Sequence, residues 1–367
     1  MAAIPECSRI IIMEVEGRWI PGERIDTHHE KRKEKKMNYT SSHNIFIQER
    51  PVERIIGRYD EGVKGPLVIC IGGIHGNEKA GITAIDLMLK MLEVEHITNV
   101  GFEFRGRFMG VTGHLAAVRQ NQRFLEKDLN RLWSREKIND LSQQERGTLS
   151  AEDLELYDLE ALITHEIRTY EPERTIILDL HTTSADGGIY TIVPDHPLAI
   201  EFALGIKAPV VLGFLEGLKG TTLHYFTSEN FPGETTSICF EAGQHEDPVS
   251  VNRAIAAITN CLRYAGCVEE RHIEGRHIEV LREYSEHLPP LTRLAYRYAI
   301  QPGEEFKMLP GFHNFQQVTK GQHLADNRFG QIESPMDGFI LMPLYQNKGE
   351  DGFFIVERAS LYKENEF

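Results

Sequence analysis

The strongest hydrophobic signal begins at Leu67, where LVICIG is apolar without interruption, the pattern of a strand covered on both faces. Beyond it Ile82, Ile85, Leu89 and Leu92 recur at spacings of three and four, which predicts a helix with one apolar face. Strand-length runs follow at 104–111, 175–181 (TIILDLH), 189–193 (IYTIV), 210–213 (VVLG) and 236–241 (TSICFE). Helical spacing intervenes at 151–169, through Leu154, Tyr157, Leu162 and Ile163, and again at 249–266. Strands alternating with helices predict an α/β fold: a mixed, largely parallel central sheet flanked by helices. After about residue 270 the periodicity shortens, and Gly303, Gly311, Gly321, Gly330, Gly338, Gly349 and Gly352 punctuate brief runs. That reads as a small C-terminal all-β domain. At the other end, GERIDTHHEKRKEKK (22–36) carries charge without apolar periodicity and predicts a flexible segment. The expected organisation is an N-terminal extension over 1–45, an α/β domain over 46–270 and a β cap over 271–367.

Charge narrows the range of partners. Lys and Arg number 40 against 55 Asp and Glu, a net charge of −15, so no broad basic surface is available for nucleic acid. A local pair of arginines could still capture an anion. No stretch approaches the ~18 consecutive apolar residues that predict a membrane span, and the short run Ile10–Met13 is closed by Glu14 without a basic leader. The five cysteines, Cys7, Cys70, Cys239, Cys261 and Cys267, form no CxxC pair, and two of them sit in predicted buried strands. These features predict a reduced, cytoplasmic protein. A homo-oligomer is admitted, and its order is left open.

Candidate chemistry gathers where predicted strands end. The segment IGGIHGNEKAG (71–81) places His75 and Glu78 three apart after a buried strand and at the start of a helix. Spacing alone carries nothing: sixteen histidines and 55 acidic residues in 367 predict about two such pairs by chance. The second pair, His323 and Asp326, lies in the β cap without that setting and reads as structural. His181 closes TIILDLH at the same kind of strand edge. Two imidazoles and a carboxylate are the donor set of hydrolytic zinc sites. Asp179, two residues earlier, shares a strand face with His181 and could orient it. RFLEKDLNRLW (123–133) supplies Arg123, Asp128, Asn130 and Arg131, in which a guanidinium fork could bind a carboxylate. Glu241 ends the apolar strand of ICFEAG, where desolvation would raise its pKa into the range of a general base. His245, Glu246 and Asp247 beyond it read as a solvated turn.

The ordered series GGIHGNE, DLNR, DLHTT and FEAG resembles the succinylglutamate desuccinylase/aspartoacylase family of zinc carboxypeptidase-like hydrolases, from about residue 66 to 245. The resemblance implies a zinc-carboxypeptidase-like catalytic domain with a small β domain narrowing its entrance. It implies one Zn2+ per chain bound by His75, Glu78 and His181, with Glu241 as general base and proton donor. Arg123 would polarise the scissile carbonyl, and Asn130 and Arg131 would hold the substrate carboxylate. The implied reaction is hydrolysis of a small-molecule N-acyl amino acid or N-acyl amine carrying a carboxylate. The alternatives are a zinc carboxypeptidase acting on a peptide C-terminus and a non-catalytic binding protein on the same scaffold.

One family feature is missing, and a second has no single counterpart. Aspartoacylases carry a further arginine upstream of the catalytic glutamate, whereas TSENFPGETTSICF has neither arginine nor lysine. For the tyrosine contributed by their C-terminal domain, Tyr345 is nearby in sequence, with Phe353 and Phe354 as competing occupants of that place.

Overall fold

The computed structural model describes residues 52–269 and 276–360, together with a short strand pair near the N-terminus. The chain divides into two units, Met1–Arg50 and Pro51–Phe367. In the first, β1 (Glu14–Val15) and β2 (Arg18–Trp19) pair antiparallel. The segment 22–36, read from the sequence as flexible, lies outside the described residues.

The second unit opens with β3 (Ile55–Tyr59) and β4 (Leu67–Gly72), followed by α1 (Ala80–Thr98), β5 (Arg107–Thr112), α2 (Leu115–Gln120) and α3 (Arg135–Ser142). Next come α4 (Ala151–Tyr170), β6 (Arg174–Thr183), β7 (Tyr190–Ile192), α5 (Pro197–Ile206) and β8 (Val210–Leu212). Two one-turn helices, α6 (Phe214–Gly217) and α7 (Thr222–Tyr225), lead to β9 (Glu234–Gln244), α8 (Val249–Ala265) and α9 (Arg276–Ser285). The chain finishes with β10 (Leu291–Ala299), β11 (Lys307–Met308), β12 (Gln316–Val318), β13 (His323–Asn327), β14 (Gly330–Glu333), β15 (Gly338–Leu341) and β16 (Asp351–Arg358).

The α/β pattern read from the sequence is present, with boundaries displaced by a few residues. All six residues of β4 are buried, as its unbroken apolar run requires. Helix α1 turns Ala84, Ile85, Met88, Leu89 and Leu92 inward. Helix α4 starts where Ser150 accepts the Asp153 N–H at 3.3 Å, and it stops at Glu171 in the left-handed region.

Eleven strands form one sheet in the order β12-β15-β16-β10-β8-β7-β9-β6-β4-β5-β3. Strands β5, β4, β6 and β9 run parallel. Strand β7 reverses direction against β9, and β7, β8 and β10 are then parallel to one another. One apolar layer packs α1, α5 and α8 on one face of this sheet. Another packs α4, Trp133 and Phe226 on the opposite face. The C-terminal strands are joined to the α/β layer through the parallel pairing of Leu291–Arg293 with Val210–Leu212. A separate three-stranded sheet, β11-β13-β14, lies beyond them.

Candidate active site

The carboxyl ends of β4, β6 and β9 are neighbours, so the residues that end these strands meet. In the register of the two parallel strands β6 and β9, His181 lies directly beside Glu241 and Asp179 beside Cys239. The loop leaving β4 brings His75 and Glu78 to the same edge. It can do so because Gly76 lies so close to helix α2 that a Cβ there would stand 2.1 Å from the Ala117 carbonyl carbon. The Gly76 N–H also donates to the Arg123 carbonyl at 3.1 Å, which ties this loop to the RFLEKDLNRLW segment.

Glu78 is the hub of the site. Its Oε1 lies 2.8 Å from His75 Nδ1 and its Oε2 2.9 Å from His181 Nδ1. The Thr182 N–H donates to the same Oε2 at 3.1 Å. Each imidazole has an aspartate behind it. His75 Nε2 lies 3.1 Å from Asp128 Oδ1. Asp179 Oδ2 approaches His181 Nε2 at 3.1 Å, an ion-pair distance without hydrogen-bond alignment, and accepts from Thr222 Oγ1 at 2.7 Å. Carboxylate-backed imidazoles are the usual support of metal-binding histidines.

The electrostatics calls for a cation. Burial would raise the Glu78 carboxyl, but His75 and His181 outweigh it and hold Glu78 well below the usual carboxylate range. Burial would lower His181, yet Asp179 and Glu78 drive it well above its ordinary value. Donor atoms of His75, Glu78 and His181, all three buried, lie within 4.8 Å of one another, and the group could hold a metal ion. Softness and donor set fit a divalent transition metal.

Glu241 is nearly inaccessible, and its Oε2 has no hydrogen-bond partner among the described residues. Burial pushes its carboxyl up to about 7, with the downward pull of His181 set against the upward push of Glu78. Arg123 donates from Nη1 to Glu78 Oε1 at 3.4 Å and from Nη2 to Asp128 Oδ2 at 3.2 Å. The Asn130 side-chain oxygen accepts the Thr222 N–H at 3.0 Å, which fixes which end of the amide is used internally. Arg131 Nη2 lies 3.4 Å from Asp351 Oδ2, and its Nε 3.6 Å from Glu350 Oε2. One cavity is lined by His75, Glu78, Arg123, Asn130, Arg131, His181 and Glu241. Asp179 stands behind it, through its contacts with His181 and Thr222.

Several residues of this neighbourhood had no role assigned from the sequence. Asp128 was grouped only with its arginine neighbours, and its distance from His75 is a product of folding. Thr222 joins Asp179 to Asn130 from a segment with no motif. Asp351 and Glu350 reach Arg131 from more than two hundred positions away. No sequence signal could have found these last three. The expectation of a solvated turn at 245–247 needs correction at His245, which is half-buried with Nδ1 2.7 Å from Thr182 Oγ1. Its neighbour Asp247 pairs with Arg253 at 2.8 Å. Tyr345 donates its hydroxyl to the Leu309 carbonyl at 2.8 Å and accepts from the Phe312 N–H at 2.9 Å, while Phe354 lines the cavity. His323 and Asp326 make only a local contact, at 2.9 Å within β13. No helix among the described residues is long and apolar enough to cross a membrane.

Residues 64–265 match a family model, the succinylglutamate desuccinylase/aspartoacylase catalytic domain. The chain is 28% identical over 269 residues to a succinylglutamate desuccinylase of Serratia proteamaculans, a match covering 71% of this chain and 74% of the relative. It is 26% identical over 184 residues to a succinylglutamate desuccinylase of Shewanella piezotolerans, spanning 50% of that relative's length and 47% of this chain. In fold it is similar to a succinylglutamate desuccinylase/aspartoacylase from Rhodobacter sphaeroides, with a TM-score of 0.58 at 16% identity over 81% of this chain and 86% of that one. Murine aminoacylase 3 superposes with a TM-score of 0.51 at 18% identity, over 80% of this chain and 95% of that one. Strand order, converging strand ends and a family match across most of the α/β region agree: the chain belongs to the succinylglutamate desuccinylase/aspartoacylase family.

Proposed function

We propose that this protein is a zinc-dependent amidohydrolase that removes the acyl group from a small N-acyl amino acid or N-acyl amine. The observation that carries this reading is the placement of a buried carboxylate with a free oxygen, Glu241, beside a His–Glu–His donor cluster. His75, Glu78 and His181 are the residues that would hold the ion. Bound there, zinc supplies a Lewis acid that polarises a carbonyl and lowers the pKa of water.

The chain's own residues do the rest. Glu241, buried beside the donor cluster with one oxygen free, takes a proton from the attacking water and returns it to the amide nitrogen as the carbon–nitrogen bond breaks. The products are a free acid and a free amine. Arg123 faces the donor cluster with a guanidinium that can donate to the carbonyl oxygen as negative charge builds there. Asn130 offers its amide nitrogen, and Arg131 the N–H groups left over from its bonds to the Asn130 carbonyl and Asp351, to the substrate carboxylate. Asp128 and Asp179 fix the two imidazoles from behind. The proposed β cap, 271–367, contributes Met342, Leu344, Gln346 and Phe354 to the cavity wall, which favours a small molecule over a peptide chain. Four free, buried cysteines support a reducing compartment such as the cytoplasm.

The test is Glu241→Ala in zinc-loaded protein, assayed by amine release from a panel of N-acyl amino acids. Turnover should fall by at least about a thousandfold while zinc content stays the same, because base and proton carrier are lost together. Turnover at the wild-type rate would remove Glu241 from the mechanism.

A further inference from the structure

One wall of the cavity differs in chemistry from the side that carries the His75–Glu78–His181 cluster. Ile192, Phe214, Leu215, Leu218, Leu223 and Phe354 line it, and they belong to an apolar cluster that also takes in Tyr190 and Val211. Cys239 Sγ lies 3.8 Å from Glu241 Oε1, so this wall begins beside the proposed base. It also abuts the proposed carboxylate clamp. Gly220 is packed so closely on Arg131 that a Cβ there would stand 2.2 Å from the Arg131 carbonyl oxygen. The Trp133 N–H donates to the Gly220 carbonyl at 3.0 Å, and Thr222 holds Asn130. The segment that carries Phe214, Leu215, Leu218 and Leu223 is therefore braced on the two residues that would grip a substrate carboxylate.

Charge at this wall points the same way. Arg123 and Arg131 are the guanidinium groups on the cavity lining, and the proposed mechanism uses both. No other arginine and no lysine is among the residues lining it, whereas Glu350 and Asp351 are. Asp351 is already held by Arg297 Nε at 2.6 Å as well as by Arg131. A second carboxylate on the substrate would meet apolar side chains and fixed negative charge, with no counterion for its lost hydration.

From this arrangement we infer that the substrate is an N-acyl α-amino acid with an apolar aliphatic or aromatic side chain, seated against Phe214, Leu218 and Phe354 while Asn130 and Arg131 hold its carboxylate. The inference rests on the deacylase reading and adds a substrate class to it.

The experiment compares kcat/KM of the zinc-loaded full chain for N-acetyl-L-leucine, N-acetyl-L-phenylalanine, N-acetyl-L-aspartate and N-succinyl-L-glutamate. The two apolar substrates should exceed the two acidic ones by at least about tenfold, the discrimination that burying one or two methylenes provides. Leu218→Arg should lower the apolar rates about tenfold and raise the acidic ones. Leu218→Ala, a milder change at a half-buried position, should lower the N-acetyl-L-leucine rate more than the N-acetyl-L-aspartate rate. Acidic substrates turned over as fast as apolar ones would overturn the inference and leave the deacylase reading intact. An apolar preference unmoved by either Leu218 variant would overturn the assignment to this wall. Zinc-loaded protein that cleaves none of the four overturns this inference, and one that also releases no amine from N-acyl amines overturns the deacylase reading.

Discussion

Glu152 offers a demanding test of how the catalytic loop is held. It is fully buried at the start of α4, and its Oε1 accepts the Leu125 N–H at 2.7 Å, the Glu126 N–H at 3.0 Å and His114 Nε2 at 3.1 Å. His114 sits between two carboxylates, its Nδ1 3.3 Å from the Ala117 nitrogen and 3.7 Å from Glu155 Oε1. One carboxylate oxygen thus pins the loop between Arg123 and Asp128 to a helix. Glu152→Ala strands three donors at about 1–3 kcal/mol each if all stay dry. Leu125 is half-buried and Glu126 exposed, so their N–H groups can turn to water and only His114 is left fully buried. A favourable first-turn carboxylate is lost as well, about 0.3–1 kcal/mol. The expected loss is about 2–4 kcal/mol, read as a lower urea midpoint at unchanged slope. Glu152→Gln keeps an acceptor in place and should lose about half as much. Both variants should lower kcat, because Asp128 and Arg123 are displaced from His75 and Glu78. A loss below about 1 kcal/mol for Glu152→Ala, or equal losses for both variants, would refute the account.

Three further outcomes are expected. Zinc at a hundred times its Kd should stabilise the protein by about 2.7 kcal/mol against thermal or urea unfolding, and His181→Ala should abolish the gain; stabilisation surviving in that variant would exclude His181 as a ligand. Glu155 titrates near 2, since His114, the Arg54 ion pair and the Ala116 N–H outweigh the upward effect of its burial. A carboxyl depressed in this way contributes stability that is complete above its ordinary value of 4.5 and is lost as pH falls towards about 2. Glu155→Gln should remove about 2 kcal/mol of that acid-side slope, and parallel curves for wild type and variant would contradict it. Trp133, 1% exposed and packed on Tyr225 and Phe226 at centroid distances of 5.6 and 5.1 Å, should lose about 3–5 kcal/mol on truncation to Ala, by chemical denaturation. A loss under about 1.5 kcal/mol would mean that the site collapses around the missing ring.

Much of the fold was legible because its strands are buried on both faces. LVICIG is a continuous apolar run, and TIILDLH and TSICFE are built on short apolar stretches whose polar residues fall mainly at the ends, so such strands can be placed without tertiary information. The proposed ligands were legible for a related reason. They lie at the carboxyl ends of those strands, where parallel α/β sheets place their binding sites. Asp179 could be paired with His181 by strand alternation alone. His245 was misread because a polar run after a strand looks solvated, and only the neighbouring Thr182 decides otherwise.

The sequence by itself determined the layered α/β architecture, the family, and which side chains stand at the sheet edge. These follow from local period, from glycine-permitted turns and from the order of four short motifs, none of which needs contacts over long separations. The tertiary structure alone decided the character of the cavity wall opposite the proposed metal ligands. Arg131 meets Asp351, Gly220 packs on Arg131, and Phe354 joins Phe214 at a ring distance of 4.6 Å. All three join segments far apart in the chain, and the two made by Asp351 and Phe354 exist only because β10 continues the central sheet alongside β8 and carries the C-terminal strands up to the site. Spacing and periodicity record what neighbours along the chain must do, whereas the wall proposed to select a substrate is assembled in part from strands whose pairing no local pattern encodes.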